Sequence, residues 1–91
     1  MTAFLNVLEL EMPSQEDVDG FLGEVKKHLA KAIEVHPRFK GLECIAAEFA
    51  DVVKAMEEGN QKEVQRQCIH LAVVALRQYL ASQKEVGMKP T

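Results

Sequence analysis

Long apolar runs, excess positive charge and sequence repeats are all missing from this 91-residue chain. No apolar stretch approaches the ~20 residues that a membrane-spanning helix needs. The first twelve residues contain no lysine or arginine, so they lack the basic start of a secretory signal peptide. The net charge of −3 provides no basic excess for a nucleic-acid backbone. We therefore expect a cytoplasmic protein that binds neither membranes nor nucleic-acid polymers.

Recognisable catalytic and zinc-binding motifs are missing as well. The sequence has no glycine-rich phosphate loop and no Ser or Cys nucleophile motif, and its two cysteines, Cys44 and Cys68, do not form a CxxC pair. Both cysteines lie in apolar helical patterns, where a reduced thiol behaves as a small hydrophobe. We expect buried free thiols rather than a disulfide or a metal site.

The apolar residues that are present predict helices. Apolar residues make up 47% of the chain, and few of them are aromatic. They recur at spacings of three and four residues, which predicts helices over about 15–35, 42–58 and 61–84. The whole chain, 1–91, is expected to be one domain. Residues 1–13 are expected to form a short helix or an arm that packs on a neighbouring subunit, and residues 85–91 a flexible tail.

Local signals mark the ends of these helices. Ser14 precedes two acidic residues and is a good N-cap for the first helix, which Pro37 stops. Gly59 suits the left-handed residue that often follows a helix. Asn60 with Glu63 three residues later is a variant of the capping box and begins the third helix.

Residues 69–76 of the third helix are apolar on nearly every side. Such a helix is normally buried on more than one side, and two other helices in a small domain cannot cover it. We predict an all-α, antiparallel bundle of three main helices that is completed by oligomerisation. The expected assembly is a homodimer or homotetramer with the third helix at its centre.

Glu48 and Asp51 are three residues apart on the second helix and share a face that is otherwise largely apolar. Burying unpaired carboxylates is costly, and Mg²⁺, which prefers oxygen ligands, would compensate for it. The alternative is that this edge faces water or pairs with lysines, as charged residues usually do.

Gln67 and His70 have the same spacing on the third helix. Gln67 offers a carbonyl oxygen, whereas an imidazole is a poor ligand for Mg²⁺, and a single His on an apolar helix is more often a hydrogen-bonded core residue. Near the end of the first helix, Lys27, Lys31 and Arg38 form a basic cluster. This cluster can bind phosphates or can be an ordinary solvated surface.

The second and third helices together resemble the MazG-like family of all-α nucleotide pyrophosphohydrolases. That family has an EExxE motif on one helix and an ExxD motif on the next, and their carboxylates hold Mg²⁺ that binds a nucleoside triphosphate. Residues 47–51, Ala-Glu-Phe-Ala-Asp, stand in the place of the first motif, and residues 67–70, Gln-Cys-Ile-His, in the place of the second. The apolar run at 71–77 and the His-Pro-Arg-Phe loop at 36–39 are also similar to family members, some of them phage-borne.

The resemblance covers about residues 25–77 and implies hydrolysis of a (d)NTP to a (d)NMP and pyrophosphate. It implies that Glu48 and Asp51 bind Mg²⁺, or Mn²⁺ in its place, with His70 or Glu43 as the base. The implied substrate contacts are Lys27, Lys31, Arg38 and Gln67.

The chain departs from the family pattern in three places. Ala47 and Gln67 each replace a Glu, and His70 replaces an Asp or Gln. A site with two fewer negative charges should bind Mg²⁺ weakly. The alternative function is therefore an inactive helical oligomer of the same fold that binds a nucleotide or a protein. A plain structural oligomer is a third interpretation.

Overall fold

A computed structural model of the chain describes residues 12–87. They form three α-helices and no strand: α1 (Gln15–Val35), α2 (Gly41–Glu58) and α3 (Gln61–Gly87). The all-α prediction is confirmed for this part of the chain. The predicted arm at 1–13 lies almost entirely outside the described residues, as does the end of the predicted tail. Across the described range, no helix is both long and apolar enough to cross a membrane.

The helices begin and end at the residues that local chemistry favours. Ser14 accepts a hydrogen bond from the backbone N–H of Asp17 at 3.0 Å, and α1 has its predicted bounds. Gly59 follows α2 with a φ of 69°, in the left-handed region. Asn60 Oδ1 accepts a hydrogen bond from the Glu63 backbone N–H at 3.2 Å. The start of α1, the end of α2 and the start of α3 therefore each have a local cause in the sequence.

Two helix bounds differ from the sequence-based prediction. Helix α2 begins at Gly41, one residue early, and α3 continues to Gly87, three residues into the predicted tail 85–91. Nothing between Lys84 and Gly87 interrupts a helix, because glycine costs only about 1 kcal/mol relative to alanine there. The first proline after α3 is Pro90.

Helix α3 is the centre of packing within one chain. Both α1 and α2 pack against it, whereas no Cα atom of α1 comes within 8 Å of a Cα atom of α2. The chain is therefore an open arrangement of two helices on a third. It leaves a gap between α1 and α2 that is floored by α3.

The apolar core of the described residues is small. Its buried hydrophobic side chains are Val25, Val52, Ala55 and Val73. The predicted apolar stripes are only partly covered, and large side chains such as Phe49, which is 60% exposed, remain open to solvent. A core of three valines and one alanine is small for a domain of this length.

Candidate functional site

The gap between α1 and α2 forms an open cleft of about 660 Å³. Its walls are the second half of α1, the connection 36–40 and the first half of α2, and Val73 and Val74 of α3 contribute an apolar floor. The volume falls within the ~300–1,000 Å³ of small-molecule sites. The cleft is therefore large enough for a ligand with an apolar or aromatic part.

The charged groups of the cleft are mostly positive, although the chain as a whole is acidic. They are Lys31, Arg38, Lys40, Arg77, Glu43 and Glu48. Four cations and two carboxylates concentrated around one cleft favour an anionic ligand. Lys31 and Arg38, two of the substrate contacts that the family resemblance implies, are among the residues that line this cleft.

Lys27, by contrast, lies outside the cleft lining. Its ammonium group pairs with Glu24 at 3.1 Å, and its side chain is 72% exposed. Lys27 and Lys31 were expected to belong to one basic cluster, but only Lys31 lines the cleft. The prediction of a substrate contact at Lys27 has no support from this geometry.

Arg77 also lines the cleft, although this role was not predicted from the sequence. Its guanidinium group donates a hydrogen bond to the backbone carbonyl of His36 at 2.8 Å and lies 4.8 Å from the centroid of the Phe39 ring. These contacts join α3 to the 36–40 connection and hold one end of the cleft. The signal was available, since Arg77 follows His70 by seven residues, two helical turns along the same face.

Glu48 of α2 and His70 of α3 lie next to each other in the cleft lining. Glu48 Oε2 lies 3.9 Å from His70 Nδ1, beyond hydrogen-bond distance, and is buried with no hydrogen-bond partner. His28 of α1 is half-buried, with its ring 5.6 Å from that of His70. The site therefore contains a buried carboxylate oxygen without a hydrogen bond next to His70, and the ring of His70 adjoins that of His28.

Burial raises the pKa of Glu48 above its ordinary value of 4.5. The nearby His70 opposes this effect on the pKa, the neighbouring carboxylate of Asp51 adds to it, and Arg66 again lowers it. A cation that approaches the oxygen of such a buried carboxylate stabilises its charged form. No lysine among the described residues pairs with Glu48; the basic side chain within ion-pair distance of its carboxylate is His70.

Asp51 and Gln67 open onto a different surface. They line a depression of about 310 Å³ next to the cleft, together with Glu63. Gln67 is only 8% exposed, and its Nε2 donates a hydrogen bond to Glu63 Oε2 at 2.7 Å, while its Oε1 is buried without a partner. The four residues of the degenerate motif are therefore split, with Glu48 and His70 in the cleft and Asp51 and Gln67 in the depression.

The two cysteines are free and half-buried, so neither has the full burial that was expected. Cys44 lies on the α2 wall of the cleft. At this position Cys44 acts as a small apolar side chain in the cleft wall.

Within the part of the chain that the structure describes, no three His, Cys, Asp or Glu side chains are close enough together to hold a metal ion. A preformed cage of protein ligands is thus absent from these residues. Mg²⁺, however, is commonly bound by only one or two carboxylates, with substrate phosphates and water as the other ligands. The buried, unpartnered Glu48 Oε2 fits that second type of site.

Comparisons with protein-family models, with curated proteins and with solved structures find no match for this chain. The fold and the cleft together define a structural class of protein. It is a small, all-helical chain with a cation-rimmed, apolar-floored cleft between two helices.

Proposed function

We propose that the protein is a divergent nucleoside triphosphate pyrophosphohydrolase of the MazG-like type, which converts a (d)NTP to a (d)NMP and pyrophosphate. The observation that carries the proposal is the buried, unpartnered oxygen of Glu48 in a cleft rimmed by four cations. A nucleotide has matching parts, because its base is flat and largely apolar and its triphosphate is a polyanion that travels with a divalent cation.

The cleft has separate surfaces for the two parts of such a substrate. Ala32, Val73 and Val74 are apolar and suit the base. Lys31 and Arg38 lie on the rim, where they can bind phosphate oxygens without being buried. The direction of binding proposed here is base inward and phosphates towards the 36–40 connection.

The residues fit a Mg²⁺ ion that arrives with the triphosphate rather than one that is permanently held. Glu48 would be the protein ligand in the cleft, and Asp51, which opens onto the neighbouring depression, would add negative charge near the ion. When bound, the ion screens phosphate charge and acidifies a coordinated water. The weak binding expected from the sequence follows from the small number of carboxylates.

The reaction forms a bond from a water oxygen to the α-phosphorus and breaks the bond from that phosphorus to the bridging oxygen. His70 and Glu43 both line the cleft and are the groups that can accept the proton from water. Lys31 and Arg38 stabilise the negative charge that develops on the departing pyrophosphate.

A second candidate function is a nucleotide-binding protein without turnover. The observation that favours it is the separation of the motif residues, since Asp51 and Gln67 open onto the depression rather than the cleft. In that case the cations and the apolar floor would bind the nucleotide, and the catalytic half of the site would be incomplete.

The test is pyrophosphate release from a panel of NTPs and dNTPs with Mg²⁺ or Mn²⁺, comparing the wild type with Glu48→Gln. Glu34→Gln is the matched control, because Glu34 is an exposed glutamate outside the cleft. We expect Glu48→Gln to lose at least about 100-fold in rate, equivalent to ~2.7 kcal/mol of transition-state stabilisation. Full activity in Glu48→Gln would refute the proposal. Nucleotide binding with no release in the wild type would favour the second candidate.

A further inference from the structure

Helix α2 has a second apolar face that points away from α3. Leu42, Ala46, Phe49 and Val53 lie on this face, and we call them the outer seam. Leu42 is 84% exposed and Phe49 60% exposed, Ala46 is also exposed, and Val53 is half-buried. Their spacings of 4, 3 and 4 place them in one line along the helix, the pattern by which one helix packs along another.

From this seam we propose that α2 is the contact between two copies of the chain, paired antiparallel about a twofold axis between Ala46 and Phe49. The proposal does not depend on the proposed enzymatic function. In a twofold contact, each residue must meet a partner that suits it in the other copy. An antiparallel pairing sets Phe49 against Ala46 of the second copy and Leu42 against Val53, in both directions. Each pair joins a larger side chain to a smaller one, which is how facing helices interdigitate.

The charges at the two ends of α2 favour the antiparallel direction. Around its start, Arg38, Lys40 and Glu43 carry a net charge of +1, and around its end Lys54, Glu57 and Glu58 carry a net charge of −1. The first turn of α2 also follows a lysine without a side-chain cap, and its last turn contains no basic residue. These charges oppose the dipole of α2 itself. An antiparallel second copy places the acidic end of one helix beside the basic end of the other, whereas a parallel copy would place like charges together.

The small core of the single chain explains why this pairing would lower the free energy of the folded protein. Three valines and one alanine are the buried hydrophobic residues of the part that the structure describes. Covering Phe49 and Leu42 would add two of its larger exposed side chains to the apolar interior. Burial of a Leu or Phe side chain contributes about 1.5–3 kcal/mol, so a paired α2 adds to a core that is otherwise marginal.

The first test compares molar masses in solution by light scattering. We expect the wild type to have at least twice the chain mass of 10.2 kDa and Phe49→Glu to have half the mass of the wild type. Tyr79→Glu is the matched control, because Tyr79 is 61% exposed, like Phe49, but lies on α3 outside the seam. Its mass should equal that of the wild type. A monomeric wild type, or an assembly that Phe49→Glu leaves intact, would overturn the proposal.

The second test uses disulfide cross-linking, which does not depend on how well Phe49→Glu folds. In a background with Cys44 and Cys68 replaced by alanine, the double variant Leu42→Cys/Val53→Cys should form cross-linked dimers on oxidation. Leu42→Cys alone should not, because an antiparallel pairing separates the two copies of this position by about 16 Å along the helix. Efficient cross-linking through Leu42→Cys alone would indicate a parallel pairing and contradict the proposal.

Discussion

Replacing Gly23 and Gly59 by alanine should change the stability of the protein in opposite directions. Gly23 lies inside α1, and no atom is within 4 Å of the position that an added Cβ would take. Alanine there removes the entropic cost of glycine and should stabilise the helix by about 1 kcal/mol. Gly59 ends α2 with a φ of 69°, where a Cβ costs about 1–2 kcal/mol. The two variants should therefore differ in unfolding free energy by about 2–3 kcal/mol.

Urea unfolding followed by far-ultraviolet circular dichroism measures this difference. All variants must be compared at one protein concentration, because assembly makes stability depend on concentration. Gly20→Ala is a repeat of the first case, since an added Cβ at Gly20 also meets nothing within 4 Å, and it should stabilise to a similar extent. A destabilised Gly23→Ala would mean that this face of α1 is packed against another surface. Equal effects at Gly23 and Gly59 would refute the left-handed end of α2.

Three further changes test other contacts. Arg77→Met should raise the nucleotide Kd about tenfold in calorimetric titration, a loss of ~1.4 kcal/mol, because it removes a cleft cation and the hydrogen bond to His36; an unchanged Kd would contradict this role. Hydrogen bonds lower the pKa of Glu63 from 4.5 to about 2, and the hydrogen bond from Arg66 has the largest effect. The ionised Glu63 therefore contributes fully to stability above pH 4.5, and this contribution is lost as the pH falls towards 2. Glu63→Gln should remove that part of the acid dependence in circular dichroism, and an unaltered acid transition would argue against it. Ser14→Ala should lower the free energy of unfolding by about 1 kcal/mol in urea titration, because the N-cap bond of α1 is lost.

The helices could be predicted closely because their causes are local in the sequence. Ser14 and Asn60 form the cap hydrogen bonds expected of them, and Gly59 has the expected left-handed backbone. These features depend on residues within one or two turns of each other. The one part of the cap pattern that failed to form involves Glu63, whose carboxylate bonds to Arg66 and Gln67 instead of returning to the backbone of Asn60.

The candidate site was harder to predict, because it depends on how the helices pack. Spacing placed Glu48 and Asp51 on neighbouring positions of α2, but the position of α3 decides that only Glu48 faces the cleft. The same applies to His28, which is half-buried only because α1 packs on α3 near His70. Arg77 is distant in sequence from the loop that it holds. A helical period alone gives the face of a residue, not the partner opposite it.

The most direct test of the central claim is phosphorus NMR of a dNTP incubated with the purified protein and Mg²⁺. Cleavage between the α- and β-phosphates predicts the appearance of a nucleoside monophosphate and pyrophosphate together, in equal amounts, and at least about 100-fold slower appearance of both with Glu48→Gln. Release of orthophosphate with a nucleoside diphosphate, or an unchanged spectrum with every nucleotide, would contradict a pyrophosphohydrolase at this cleft.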